Sequence, residues 1–402
     1  MANLPLANIL HYKLRSVLSA LGIAIGICML VTLSGLSRGS LDEVADRWES
    51  VDADLIVYPR GWGDNITTIS GIGVSDRIAA KLLADYGDVV QRVVPVFLWQ
   101  VKLGGQDQLA VGVDSDQWPT LTGGRSLRQG RLFDPQRRFA AWIETLLLTD
   151  GSDKVIEVTE QDLAAPAHNG LELVIDSRLA AAGHYALGQS VRAANHDWTI
   201  VGIVPAGAMS RVFLPRRTAQ FLFGSGDITR STLQFVKLRG GVDADSAARR
   251  LRGVGQEVVQ LRQYRAMLQR KFGVMYRYVD AVNGIAMVIA FLFITTTLYT
   301  MVLQRTREIA ILKSFGAGKG FILRQVLAES ALLTALGFGI GIALSFAAAG
   351  AIEAFAPLYT VTIQPIWLGK ALLIAAAGAM VSALYPAWRA MRVDMVETLT
   401  LE

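Results

Sequence analysis

Four stretches of this chain are apolar nearly throughout, without the alternation of a half-buried strand: Val17 to Ser37, Ala281 to Leu303, Leu327 to Ala349 and Ala371 to Met391. Each runs for about 20 residues, which at about 1.5 Å rise per residue spans a hydrocarbon core of roughly 30 Å. They predict four transmembrane helices. Between the first and second the pattern changes. DADLIVYP and VVQRVVPVFLWQVKL read as strands, and SDRIAAKLLADYG predicts a helix capped by Ser75 and stopped at Gly87. Near the far end STLQFVKL reads as strand, DADSAARRLRGVG as helix and VVQL as strand again. The two ends share this style and predict one α+β layer over 52–115 plus 230–265. The intervening 116–229 is richer in Gly turns and short strands, and reads as an inserted β-rich subdomain. SLDEVADRWES extends the first helix, and 266–280 leads as a polar stalk helix into the second span. The expected division is 1–37, 38–280 and 281–402, an α+β fold with four transmembrane helices and a large domain between helices 1 and 2.

Composition agrees with a membrane protein: the 402 residues are 52% hydrophobic, with a mean hydropathy of +0.37. Charge then orients the spans. From Gly39 to Tyr278 basic and acidic residues nearly cancel, so the net +5 comes from the rest. Lys13 and Arg15 precede the first span, Arg305, Arg307, Lys313, Lys319 and Arg324 fill the segment 304–324, and Arg389 and Arg392 follow the fourth; Ala351 to Leu368 has no Lys or Arg. The positive-inside rule places both termini and the 304–324 loop in the cytoplasm and the neutral segment outside. The basic balance reports topology and gives no reason to invoke nucleic acid. The first apolar run is longer than a signal-peptide core and reads as an uncleaved anchor. Cys28 is the one cysteine, so no intrachain disulfide forms. Trp367 and Trp388 bracket the fourth window about 31 Å apart if helical, as interfacial anchors or as ordinary packing residues.

Candidate chemistry is sparse. GAGKG at 316–320 lacks the spacing of a phosphate-cradling Walker A loop, since Lys313 and Gly320 occupy the places that Gly and Ser or Thr would need. His168, His184 and His196 match no metal-ligand spacing, and no G-x-S-x-G elbow is present, so no catalytic residue and no metal site is assigned. Gly22 and Gly26 form one GxxxG and Gly337 and Gly341 another, either of which could be a seam between two copies or a close approach within one. Glu329 is an intramembrane carboxylate whose expected partner is Arg324 or the Gln325 amide, a proton or substrate path being the alternative.

Three stretches carry a resemblance to a known family: NILHYKLRSVLSALGIAIGI, TREIAILKSFGAGKGFILRQVLAESALLTALGFGIGIALS and YPAWRAMRVDMVETL resemble, in order, the MacB/FtsX-type ABC transporter permeases. The resemblance implies a MacB-like periplasmic core between helices 1 and 2 and an FtsX-like transmembrane domain after it. It also implies that 304–324 holds a coupling helix for an ABC ATP-binding subunit. Arg305, Arg307, Glu308, Ile311, Leu312, Lys313, Ser314, Phe315 and Gly316 would meet that subunit. In helical geometry Ile311, Leu312 and Phe315 fall within about 100° of one face, although Glu308 interrupts it. Pro386, Ala387, Ala390 and Glu397 stand at the family's C-terminal motif, with Met395 in place of its usual proline. By the same resemblance this chain is not an enzyme, and ATP and Mg belong to a separate ATPase. Two permease copies, and in some cases an extracytoplasmic adaptor, complete the assembly in a bacterial inner membrane. The expected function is mechanotransmission from ATP hydrolysis to the outer domain for export or extraction of a hydrophobic or amphiphilic substrate. The alternative is an FtsX-like regulator of an extracytoplasmic hydrolase.

Overall fold

The computed structural model of the chain describes residues 13–63, 70–134, 171–224, 227–303 and 317–392. Its helices are α1 (Lys13–Glu49), α2 (Arg77–Asp85), α3 (Ser177–Gly183), α4 (Arg216–Phe223), α5 (Ala244–Leu251), α6 (Tyr264–Lys271), α7 (Gly273–Leu303), α8 (Lys319–Phe355) and α9 (Pro365–Arg392), beside single turns. Its strands are β1 (Leu55–Tyr58), β2 (Val74–Ser75), β3 (Val90–Leu103), β4 (Gln106–Val113), β5 (Gln129–Gly130), β6 (Glu172–Asp176), β7 (Ser190–Ala193), β8 (His196–Val204), β9 (Val212–Pro215), β10 (Arg230–Ser231), β11 (Leu233–Leu238) and β12 (Glu257–Gln260). Two compact units result: Met1–Leu41 with Met275–Glu402, and Asp42–Val274.

In the second unit the sheet runs β12-β1-β11-β3-β4-β9-β6-β8-β5, with β7 beside β8. β3 is the strand that makes this one sheet. Its first half, Val90 to Val96, pairs antiparallel with β11, and its second half, Phe97 to Leu103, pairs with β4. The segment from β4 to β9 therefore continues the same hydrogen-bonded ladder as the paired chain ends. Two pairings in that continuation, β4 with β9 and β6 with β8, are parallel.

All four residues of β1 are buried, which requires cover on both faces. Ile56 and Tyr58 face a core with Ala45 and Trp48 of α1 and Tyr264, Met267 and Leu268 of α6. Leu55 and Val57 face the opposite core with Leu82 of α2 and Ala247, Ala248 and Leu251 of α5. Asp243 caps α5 by accepting from the Ser246 amide at 2.9 Å, and Gly255 at φ +86° ends the turn after it. Ser75 pairs in β2 and its hydroxyl accepts from the Arg77 amide at 3.4 Å, at the first residue of α2, while Asp76 stands at the N-cap position without a side-chain cap bond. Asp76 instead receives the buried Arg216 guanidinium at 2.5 Å, which also reaches Asp114.

Among the described residues three helices are long and apolar enough to cross a membrane, over Ser16–Ser40, Gly273–Leu292 and Leu323–Phe355, with a shorter apolar stretch at Pro365–Val381. Ile23, Ile27, Leu30 and Val31 of α1 pack with Ala286 of α7, Leu333 of α8 and Ala371, Ala375 and Ala379 of α9. Small residues on α9 keep its backbone close to its neighbours.

Candidate coupling and force-bearing sites

The nine residues expected to meet an ATPase, Arg305, Arg307, Glu308, Ile311, Leu312, Lys313, Ser314, Phe315 and Gly316, lie outside the described residues, as does Glu397. Pro386, Ala387 and Ala390 fall within the helical span of α9, and their side chains lie outside the described set. The four glycines of the two GxxxG pairs are described. A Cβ on Gly337 would stand 2.7 Å from the Ile23 Cβ and 2.9 Å from the Ala20 carbonyl oxygen. One on Gly341 would stand 2.8 Å from the Ile27 Cβ and 2.9 Å from the Ala24 oxygen. This pair is thus filled by α1 of the same chain. Gly26 lies opposite Ala290 of α7, where an added Cβ would sit at an ordinary 3.7 Å, and Gly22 is buried in α1.

Glu329 is buried on α8, but the hydrogen bond expected from Gln325 is not made, because the Gln325 amide nitrogen has no partner. Trp367 is 5% exposed, so it is a packed residue. Its ring lies beneath the Arg38 guanidinium (5.4 Å to the centroid) and the Lys370 ammonium (4.2 Å). Arg38 also pairs with Asp280 of α7. Just above, the segment between α8 and α9 closes on α1 at two glycines the sequence reading passed over. The Thr362 amide donates to the Gly35 carbonyl at 3.2 Å, and a Cβ on Gly39 would meet Thr360 O and Thr362 N at 2.8 Å. The G-x-x-x-G spacing of 35 and 39 was the available signal.

In the other unit, residues 42–49 of α1 present three faces. Asp42, Asp46 and Glu49 recur at i, i+4 and i+7. All three pair with Arg265 of α6, at 3.5, 2.5 and 2.9 Å. Hydrogen bonding to Glu49, then Asp46, holds the Arg265 guanidinium more firmly protonated than usual. Beside this stripe the Trp48 ring stacks on Tyr264, with centroids 4.2 Å apart and planes 7° from parallel. On the third face Arg47 donates to Glu43 at 2.6 Å and to Asp176 at 3.2 Å, and Arg211 donates to Glu43 at 3.3 Å. Asp176 also caps α3 by accepting from the Leu179 amide at 2.7 Å. Burial pushes the Asp176 carboxyl above the usual carboxylate range, against the pull of Arg47 and Arg211. Burial likewise lowers Arg211, with Arg47 repelling it.

None of these constellations holds a nucleophile beside a base. Among the described residues no three His, Cys, Asp or Glu side chains are grouped as metal ligands would be. His184 closes α3 in a left-handed conformation at φ 52°, and His196 opens β8, with His168 outside the described residues.

The chain is similar to known proteins along most of its length. Residues 16–254 match the model of the MacB-like periplasmic core domain, and residues 281–395 match that of the FtsX-like permease C-terminal region. Among curated relatives, the pyoverdine export ATP-binding/permease protein PvdT of Pseudomonas savastanoi pv. phaseolicola is 27% identical over 97% of this chain and 58% of its own length. A macrolide export ATP-binding/permease protein MacB of Yersinia pestis is 23% identical over 97% of this chain and 59% of its own. The chain thus spans under three-fifths of the length of these relatives. Among solved structures, the periplasmic region of MacB from Actinobacillus actinomycetemcomitans is 16% identical and covers 55% of this chain and 95% of that one, with a TM-score of 0.35. The extracellular domain of YknZ from Gram-positive bacteria is 16% identical and covers 52% of this chain and 98% of that one, with a TM-score of 0.33.

Proposed function

The chain belongs to the MacB/FtsX-type family of ABC transporter permeases, and from that premise we propose that it is the force-transmitting permease of an export system driven by a separate ABC ATPase. The carrying observation is the clamp between the outer turns of α1 and α6. Trp48 stacked on Tyr264, and Arg265 held by three carboxylates, join the helix that enters the outer unit to the one that leaves it. In this reading α1, helical from Lys13 to Glu49, carries a displacement of its apolar part to those turns. ATP binding and release would act on the 304–324 loop, with Ile311, Leu312 and Phe315 docking against the ATPase and Arg305, Arg307 and Lys313 orienting it. GAGKG at 316–320 lacks the Walker A spacing, and in this reading the nucleotide chemistry belongs to the ATPase.

We further propose four spans, cytoplasmic termini, an extracytoplasmic unit formed by 42–274, and a dimer of permeases. The relatives' names, pyoverdine export and macrolide export, favour an amphiphilic cargo. The test is reconstitution of the chain with its ATPase in vesicles. Phe315→Ala and Glu308→Ala are expected to leave ATP hydrolysis running while cargo movement falls about ten-fold or more. Variants that fold, bind the ATPase and export at the wild-type rate would remove the coupling assignment.

A further inference from the structure

A cavity of about 260 Å³ lies between α8 and α9, within the apolar part of both helices. Its wall is almost wholly hydrocarbon, from residues such as Phe338 and Ala379, and its rim carries the exposed Leu372 and Met380, so it opens sideways away from the helix core. Two polar groups interrupt that wall, Ser330 and Thr334, at 1% and 6% exposure. Neither hydroxyl has a hydrogen-bond partner among the described residues. In the same unit the Thr296, Thr300 and Ser345 hydroxyls donate to the carbonyl four residues back, the usual refuge for a hydroxyl in an apolar helix, while the Thr295 hydroxyl of α7 also lacks a partner but does not line this cavity. Ser330 and Thr334, one turn apart and lining one cavity, forgo that bond. An unpaired hydroxyl in a hydrocarbon setting costs about 1–3 kcal/mol. The pair therefore calls for an acceptor that comes with the occupant.

We propose that this cavity is a binding site for a diacyl phospholipid, with one acyl chain along Phe338 and Ala379 and the ester carbonyls accepting from Ser330 and Thr334. Depth supports this occupant. The apolar part of α8, Leu323–Phe355, is 33 residues long, about 50 Å as a helix, against a hydrocarbon core of roughly 30 Å. Centring that core leaves Ser330 at its edge, at the level of lipid esters, and Thr334 one turn deeper. Water would be a poor occupant, since one molecule takes up only about 30 Å³ and leaves the apolar wall uncovered. A lipid ester carbonyl carries free lone pairs and lies at this depth, so it supplies the acceptor the two hydroxyls lack; a helix of a second copy is the alternative that the cross-linking below reads. The proposal needs only that the chain crosses a membrane, and stands apart from the coupling role proposed above.

The experiment uses the full chain in nanodiscs containing phosphatidylethanolamine with a diazirine on one acyl chain, presented as the diester or as the diether analogue. The diester is expected to label the stretches around Phe338 and from Leu372 to Met380 in preference to the exposed α7 face at Ile285 to Leu292. Ser330→Ala and Thr334→Val should each lower that labelling about five-fold, as should the diether. Ala376→Trp, at the mouth, should abolish it while the melting temperature and assembly state hold. In lipid-free detergent the Ser330→Ala, Thr334→Val double variant should be at least as stable as wild type, because it removes two unpaired hydroxyls. Labelling equal on the α7 face, indifferent to the hydroxyls or the ester, or replaced by a cross-link to a second copy from a photo-reactive residue at 376 would each overturn the assignment.

Discussion

At the scale of single residues, the glycines on the membrane helices separate by what lies opposite them. Gly337 faces the Ile23 side chain and the Ala20 carbonyl at under 3 Å, so even one methyl must push α1 away from α8. Gly337→Ala should cost about 1–3 kcal/mol of unfolding free energy, while Gly26→Ala, with 3.7 Å to spare, should change little. Unfolding titrations in mixed micelles separate the two, and equal costs would remove the close seam. Asp176 offers a pH test. Its carboxyl is raised by burial, so the folded chain binds that proton more tightly than the unfolded chain does. Its stabilising contribution is then complete below the unfolded value of about 3.9 and is lost as pH rises through the folded value. Asp176→Asn keeps an acceptor for the Leu179 amide and should flatten that fall in melts taken between about pH 4 and 7. A wild-type chain whose stability at this site rises with pH would contradict the burial argument.

At the scale of elements, the outer turns of α1 show how one helix serves three neighbours. Asp42, Asp46 and Glu49 make a like-charged stripe that would repel itself if left alone, and the single Arg265 guanidinium bridges all three and offsets part of that repulsion. Arg47 turns to Asp176, Glu43 accepts from Arg47 and Arg211, and Ala45 and Trp48 turn to the sheet. The acidic stripe was legible in SLDEVADRWES as helical spacing. Its cation was not, because Arg265 stands 216 residues after Glu49 and no local pattern joins them. The relative weights of these contacts are testable. Trp48→Ala removes a large buried ring and should destabilise the outer unit by about 3–5 kcal/mol. Arg265→Ala breaks pairs in a partly exposed setting and should cost about 1 kcal/mol or less, shrinking in high salt. Thermal melts at two salt concentrations would show whether stacking or charge holds α1 to α6.

At the scale of the whole molecule, sequence and structure agree where the physics is local. The apolar runs at Val17, Ala281 and Leu327 stand within long helices, and the strand, helix, strand run near 231–261 became β11, α5 and β12, because length, period and caps act within a few residues. The parallel partners β4 with β9 and β6 with β8 were not legible, since nothing within either strand names a neighbour about 100 or 30 residues away. For Trp367 the packing alternative holds, and one of its two cations, Arg38, comes from another helix where no local pattern joins them. The resulting cores are separate, for the clusters around Trp48 and Leu55 and the cluster around Ile23 have no residue in common. In the force-transmitting role proposed above, the outer unit would have to keep its own fold while it is moved, and separate cores allow that. Phe235→Ala, in the outer core, should therefore lower hydrogen-exchange protection of β11 by about 3–5 kcal/mol and leave α8 unchanged. Gly337→Ala should do the reverse. If either variant releases both regions together, the chain unfolds as one body, and the separation of head from lever fails.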